Sequence, residues 1–269
     1  MSATANPSAG ARGWALVTGA SSGIGASFAR ALDARGYSLL LVARRRDRLV
    51  ELARTLRHAE VLDADLADEA EVARVAAHAL SLGDVELVVN NAGYGSNGEF
   101  LALDGAREVA MVKLNALAPL VLAHKLVPAM VARGSGGVIN VSSIGAFQPV
   151  PYMATYGATK SFLLSWSEAL AYELRTTGVR VTCVCPGPTA TEFFDVAAVN
   201  PLMAKLPHVM SADGVVARTL DAFDDGRAVI IPGLINWLTA FVTRIFPRVA
   251  VRVVTGRMFA PRERKALRS

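Results

Sequence analysis

The chain has 269 residues, 52% of them hydrophobic and 19% charged, with a formal net charge of +5. That balance supports a large apolar core and excludes an intrinsically disordered protein. The charge is uneven: residues 241–269 hold eight basic side chains against Glu263 alone, so the basic excess marks a tail, and no nucleic-acid-binding module is expected.

In chain order, a short apolar run at 14–18 predicts a buried strand. It leads into Thr18-Gly19-Ala20-Ser21-Ser22-Gly23-Ile24-Gly25, and a helical pattern over 23–35 follows, closed by Gly36. Strand, glycine-rich turn and helix form the context of a dinucleotide site. Glycines admit a pyrophosphate close to backbone, and the helix N-terminus adds N–H groups and a favourable dipole. Gly19, Ser21, Ser22, Gly23, Ile24 and Gly25 are therefore candidate cofactor residues, although Gly-x3-Gly-x-Gly departs from the commoner GxGxxG. A strand at 38–43 ends in Arg44-Arg45-Arg46, and helix 46–57, strand 59–63, helix 68–81 and strand 86–90 lead to Asn90-Asn91-Ala92-Gly93. Helices over 103–114 and 116–133 leave Asn115 between them. A strand at 136–142 precedes Ser143, and a helix over 155–177 carries Tyr156 and Lys160. The strand at 179–185 holds Cys183 and Cys185, expected as reduced core thiols because a Cys-x-Cys pair on one strand has poor disulfide geometry. Pro186 to Thr191 then opens an irregular stretch, 187–210, read as a substrate-covering loop, before helix 211–223 and strand 227–231. Strands alternating with amphipathic helices predict a doubly wound parallel sheet of about seven strands with helices on both faces. One domain is expected over 12–231, after a flexible leader at 1–11 that lacks the apolar stretch of a secretory signal.

Tyr156 and Lys160, four residues apart on a helix, share one face about one turn apart. A free phenol titrates near pKa ~10. A fixed ammonium beside it favours the phenolate and is expected to pull that value down. The Ser143 hydroxyl can hold a substrate oxygen next to the phenol. The three residues together make a proton-handling device.

These motifs, in this order and at these separations, resemble the classical short-chain dehydrogenases/reductases (SDR family) over roughly residues 12–231. The resemblance implies a Rossmann-like fold and an NADP(H)-dependent oxidoreductase acting between a carbonyl and a secondary alcohol. It implies Tyr156 as general acid/base, Lys160 lowering its pKa and holding the nicotinamide ribose, and Ser143 stabilising the oxyanion. Asn115 would hold a water linking Lys160 to solvent. Asp65 would meet the adenine edge, Asn91, Ala92 and Gly93 the adenine ribose, Pro186 and Gly187 the nicotinamide ring, and Thr191 its carboxamide. The strand before Arg44 carries no terminal carboxylate for a ribose 2′-hydroxyl, and a guanidinium grips a 2′-phosphate instead. Arg44 is thus the expected 2′-phosphate ligand with Arg45 assisting, while Arg46 and Arg48 read as a solvated helix start. Ala146, Phe147, Val150, Pro151, Met153, Phe193, Phe194 and Met203 form the expected pocket wall, which favours a hydrophobic ketone or alcohol. No metal is called for. A cofactor-binding sensor or scaffold without turnover is the alternative, and a nucleotide-sugar epimerase or dehydratase a second one. The resemblance further implies a homodimer or homotetramer, and the reduced core thiols with no secretory stretch at the start predict a cytoplasmic location, with peripheral membrane contact left open.

Residues 232–269 form a basic amphipathic extension that the resemblance does not reach. The apolar run at 228–243 is interrupted by Pro232, Gly233 and Asn236 and is shorter than the ~18–20 residues that span a bilayer. Arg244, Arg248 and Arg252 follow at four-residue spacing beside Ile245, Val249 and Val253. Three roles stay open for this segment: peripheral contact with an anionic membrane, a cap over the pocket, or packing on a partner subunit.

Overall fold

The computed structural model describes residues 12–193, 197 and 209–261. The leader at 1–11, Phe194, Met203 and most of the expected substrate loop lie outside the described residues. Seven strands, β1 (Trp14–Thr18), β2 (Ser38–Ala43), β3 (Ala59–Asp63), β4 (Val85–Asn90), β5 (Gly136–Val141), β6 (Val179–Val184) and β7 (Val229–Ile230), form one parallel sheet in the order β3-β2-β1-β4-β5-β6-β7. The helices are α1 (Gly23–Ala34), α2 (Arg46–Ala53), α3 (Glu69–Ser81), α4 (Gly105–Val112), α5 (Ala118–Arg133), α6 (Ala154–Glu173), α7 (Ala212–Asp224), α8 (Leu234–Ile245) and α9 (Arg248–Phe259).

Strand alternation divides the core between the two sheet faces. Ala15, Val17, Leu39 and Leu41 point to one face, where Phe28 and Leu32 of α1 and Leu220 and Phe223 of α7 cover them. Leu16, Leu40, Val42 and Val88 point to the other, under Val72 and Val75 of α3 and Leu122, Leu126 and Met130 of α5. Strand order reverses between β1 and β4, and the carboxyl ends of those strands open the crevice where ligands bind in such sheets.

Two expected helices end early for local reasons. After Ala53, Thr55 and Leu56 close i+3 turns, and the Thr55 hydroxyl takes the Leu52 carbonyl at 2.7 Å. After Glu173, Thr177 does the same to Leu174 at 2.7 Å, and Gly178 turns the chain at φ +79°. Asn115 sits inside a single π turn, Lys113–Leu117, that joins α4 to α5 without a break. Cys183 and Cys185 are free thiols buried at the edge of the core. The extension is two further helices, α8 and α9, which its sequence had left as an unassigned amphipathic stretch.

Candidate active site

The turn between β1 and α1 is built so that backbone lies open. Gly19 adopts φ +64°, where side chains are strained, and a Cβ there would sit 2.7 Å from Asn91 Nδ2. A Cβ on Gly25 would strike the Gly19 carbonyl and Asn91 Nδ2, so Gly25 serves close packing rather than lining the crevice. Asn91 Nδ2 donates to the carbonyls of Thr18 at 2.9 Å and Gly19 at 3.2 Å. The Thr18 hydroxyl accepts the backbone N–H groups of Asn91 and Ala92, both at 3.0 Å. Thr18 thus welds the turn to segment 91–93, a role its sequence position did not announce. Ser22 precedes α1 without capping it, unlike Asp68, Asp104 and Ser211 at α3, α4 and α7. The first turn of α1 therefore keeps its N–H groups for an anion.

The arginines divide their work. Arg44 is 69% exposed at the crevice rim, its guanidinium 4.0 Å from Asp65. Arg45 bridges the turn to the far wall, donating to Ser22 Oγ at 2.8 Å, Ser21 Oγ at 3.1 Å and Glu192 at 2.9 Å. Arg48 is not merely a solvated helix residue: it holds the other carboxylate oxygen of Glu192. The Arg48 hydrogen bond first, then that of Arg45, lowers the Glu192 pKa. Arg46 pairs with Asp63 at 2.6 Å, and neither of the two lines the crevice.

Ser143, at the end of β5, accepts from Gly145 N–H at 3.1 Å. Tyr156 and Lys160 lie in the first turns of α6, and both are buried. Lys160 Nζ donates to the Val141 carbonyl at 2.8 Å and stands 5.9 Å from the Tyr156 ring centroid. Ser142 spends its hydroxyl on the Lys160 carbonyl at 2.8 Å, which leaves Ser143 as the hydroxyl beside the phenol. Asn115 is behind the crevice wall rather than in it. Its amide takes Tyr94 C=O at 2.9 Å and Thr159 Oγ1 at 3.2 Å, and its oxygen accepts Tyr94 N–H at 3.2 Å.

The protonation expected of the pair is corrected by burial. Burial pushes the Tyr156 phenol up to about 12, with a Ser143 hydrogen bond pulling the other way. Burial also lowers the Lys160 ammonium to about 8. Desolvation is the largest influence on the phenol and favours its neutral form across neutral pH.

A cavity of about 560 Å³ joins these parts. Gly19, Ser21, Ser22, Gly23, Ile24, Arg44, Arg45, Asp65, Asn91, Ala92, Gly93, Ser143, Tyr156, Lys160, Pro186, Gly187 and Thr191 all line it. Of the expected apolar wall, Val150, Met153 and Phe193 line it, whereas Ala146 and Phe147 pack against Cys183 and Cys185. Ile235, Asn236 and Thr239 of α8 and Met258 and Phe259 of α9 close the far side. The buried Asn236 packs so tightly on Gly187 that no Cβ fits there. The extension therefore caps the pocket, and only its packing shows which of its faces does so. The glycine turn, the free α1 terminus and the rim arginines fit a phosphorylated dinucleotide along one arm of the cavity.

A family model described as short chain dehydrogenase matches residues 13–200. A very-long-chain 3-oxoacyl-CoA reductase of Phaeosphaeria nodorum is 37% identical over 186 residues, 65% of this chain and 54% of that protein. The chain thus spans about half the length of that relative. Among solved structures, a short-chain dehydrogenase from Sphingobium yanoikuyae in complex with NADPH is 36% identical with a TM-score of 0.79, covering 87% of this chain and 94% of that one. A bulky-bulky ketone specific alcohol dehydrogenase from Comamonas testosteroni is 33% identical with a TM-score of 0.74, covering 86% and 92%.

Proposed function

The chain belongs to the short-chain dehydrogenase family, and from that premise we propose that it is an NADP(H)-dependent oxidoreductase reducing bulky, apolar ketones. The observation that carries the reading is one cavity in which Ser143, Tyr156 and Lys160 face the glycine turn and the rim arginines. When bound, the nicotinamide supplies the hydride. The first turn of α1 and the Ser21 and Ser22 hydroxyls hold the phosphates, and Arg44 and Arg45 grip the 2′-phosphate. Asp65, Asn91, Ala92 and Gly93 border the adenosine end, and Pro186, Gly187 and Thr191 the nicotinamide end.

Tyr156 donates its proton to the substrate oxygen. A phenol at about 12 is fully protonated at neutral pH, which suits reduction. Ser143 hydrogen-bonds the same oxygen and stabilises the charge that develops there. Lys160, fixed by the Val141 carbonyl, supplies a cation beneath the phenol as the proton leaves. Asn115 positions Tyr94 and α6 behind them. Val150, Met153, Phe193, Met258 and Phe259 supply the apolar contacts that select the substrate. The name of the Comamonas relative supports that substrate class, and the name of the Phaeosphaeria relative supports reduction of a ketone group. We further propose a homo-oligomer, supported by the exposed Val109, Val112 and Leu117 on the α4–α5 side, and a cytoplasmic location, supported by two free buried thiols.

The test follows NADPH oxidation over ketones graded by size and polarity, with NADH in parallel. Turnover that rises with apolar bulk and needs NADPH supports the reading. Tight NADPH binding with no turnover on any ketone turns it toward a cofactor sensor.

A further inference from the structure

Helices α8 and α9 have two unlike faces. Inward, they line the cavity and are tied down: Thr255 Oγ1 donates to the Pro149 carbonyl at 3.0 Å, and Asn97 Nδ2 to the Phe259 carbonyl at 3.1 Å. Outward, they leave apolar side chains in solvent, among them Leu234 (73% exposed), Trp237 (46%), Ile245 (65%) and Val254 (65%). Trp237 and Phe241 stack on this surface with ring centroids 5.3 Å apart. So many exposed apolar side chains along two consecutive helices are more than a soluble monomer ordinarily presents.

Charge narrows the occupant. Residues 228–261 contain no Asp or Glu, while Arg244, Arg248, Arg252 and Arg257 lie along the same two helices. None of the four has a carboxylate partner among the described residues. A second copy docking here about a two-fold axis would set this patch on itself, arginine against arginine with no acid between. A bilayer of anionic lipid has the complementary pair of properties, acyl chains for the apolar side chains and phosphates for the guanidiniums. The helical run 105–133 is also apolar and long enough to cross a membrane, but 56% of its most apolar window is buried inside the protein.

We propose that α8 and α9 form a plate that docks on an anionic membrane surface. Because the inner side of the plate walls the cavity, the apolar ketone reaches Tyr156 from the lipid past these helices. The docking half stands on the exposed face alone. The delivery half rests on the ketone reading above.

The full-length chain is floated with vesicles of phosphatidylcholine containing phosphatidylglycerol, and with phosphatidylcholine alone, at low and high salt. Binding to the anionic vesicles that salt weakens is expected. Arg248→Glu with Arg252→Glu should cut the partition coefficient about tenfold or more, and Trp237→Ser with Phe241→Ser should also release the protein. Neither pair touches the cavity, so turnover on a water-soluble ketone stays at the wild-type level and confirms folding. Turnover on a ketone dissolved in the vesicles falls with binding. No binding to anionic vesicles by a protein active in solution overturns the docking plate. So does binding that ignores all four substitutions, or a change of oligomeric state in place of vesicle release, which would make a second copy the occupant. Vesicle binding lost in the variants while no ketone is reduced by any protein supports docking and sinks the ketone reading alone.

Discussion

Replacing Lys160 by Met tests how burial sets the energetics of this site. The ammonium is displaced from 10.5 to about 8 by desolvation. A tenfold displacement corresponds to about 1.4 kcal/mol, so keeping this lysine charged in the fold costs about 3 kcal/mol at pH 7. Below pH 8 the lysine is charged in both folded and unfolded chains, and the cost is present in full. Between pH 8 and 10.5 the folded chain has released the proton while the unfolded chain still holds it, so stability rises with pH. Above that window the cost has gone. Methionine fills a similar volume without charge but leaves the Val141 carbonyl unpaired, a loss of about 1–3 kcal/mol. The two effects nearly offset at pH 7, so the diagnostic quantity is the change with pH. Denaturant unfolding of wild type and Lys160→Met, without cofactor, should show the variant's stability relative to wild type falling by about 2 kcal/mol between pH 7 and pH 10. Staying at or below pH 10 keeps Tyr156 protonated in the fold. A stability difference that does not move with pH would mean that burial does not perturb Lys160, and the account of its charge fails.

Arg44→Asp should weaken NADPH binding about ten- to a hundredfold by fluorescence titration and leave NADH binding nearly unchanged, since only the 2′-phosphate loses a partner; equal weakening of both would remove Arg44 from that contact. Glu192 competes for Arg45 from the opposite wall, so Glu192→Gln should tighten NADPH about two- to fivefold without affecting NADH; weaker NADPH binding would show that Glu192 orders the site instead. Gly25→Ala pushes a methyl into the Gly19 carbonyl and the Asn91 amide and should cost about 1–3 kcal/mol of stability together with cofactor affinity, read by thermal unfolding and titration; wild-type values for both would show that the turn can yield.

The sheet was legible because β1 and β2 are apolar runs, β3, β4 and β6 are apolar but for isolated polar or charged positions, and the alternation of side chains divides the core between the two faces. The cofactor arm was legible for a related reason. Gly19, Ser21, Ser22 and Arg44 are local motifs whose chemistry needs no distant partner to be recognised. What stayed hidden depends on long-range packing. Glu192 meets Arg45 and Arg48 across more than 140 residues of chain, and no local signal pairs them. Asn236 and Phe259 belong to helices whose amphipathic pattern gives a period but not the face that turns toward Tyr156. The phenol's direction of shift was misread because spacing reveals the neighbouring cation but not the depth of burial, and here depth decides.

The most direct measurement sets wild type against Tyr156→Phe, with NADPH binding by fluorescence titration and NADPH oxidation with one bulky apolar ketone in the same buffer. Equal NADPH affinity and a loss of turnover of about 10²- to 10⁴-fold are expected in the variant, because only the proton donor has gone. Turnover in Tyr156→Phe equal to wild type, with NADPH bound, would contradict Tyr156 as that donor.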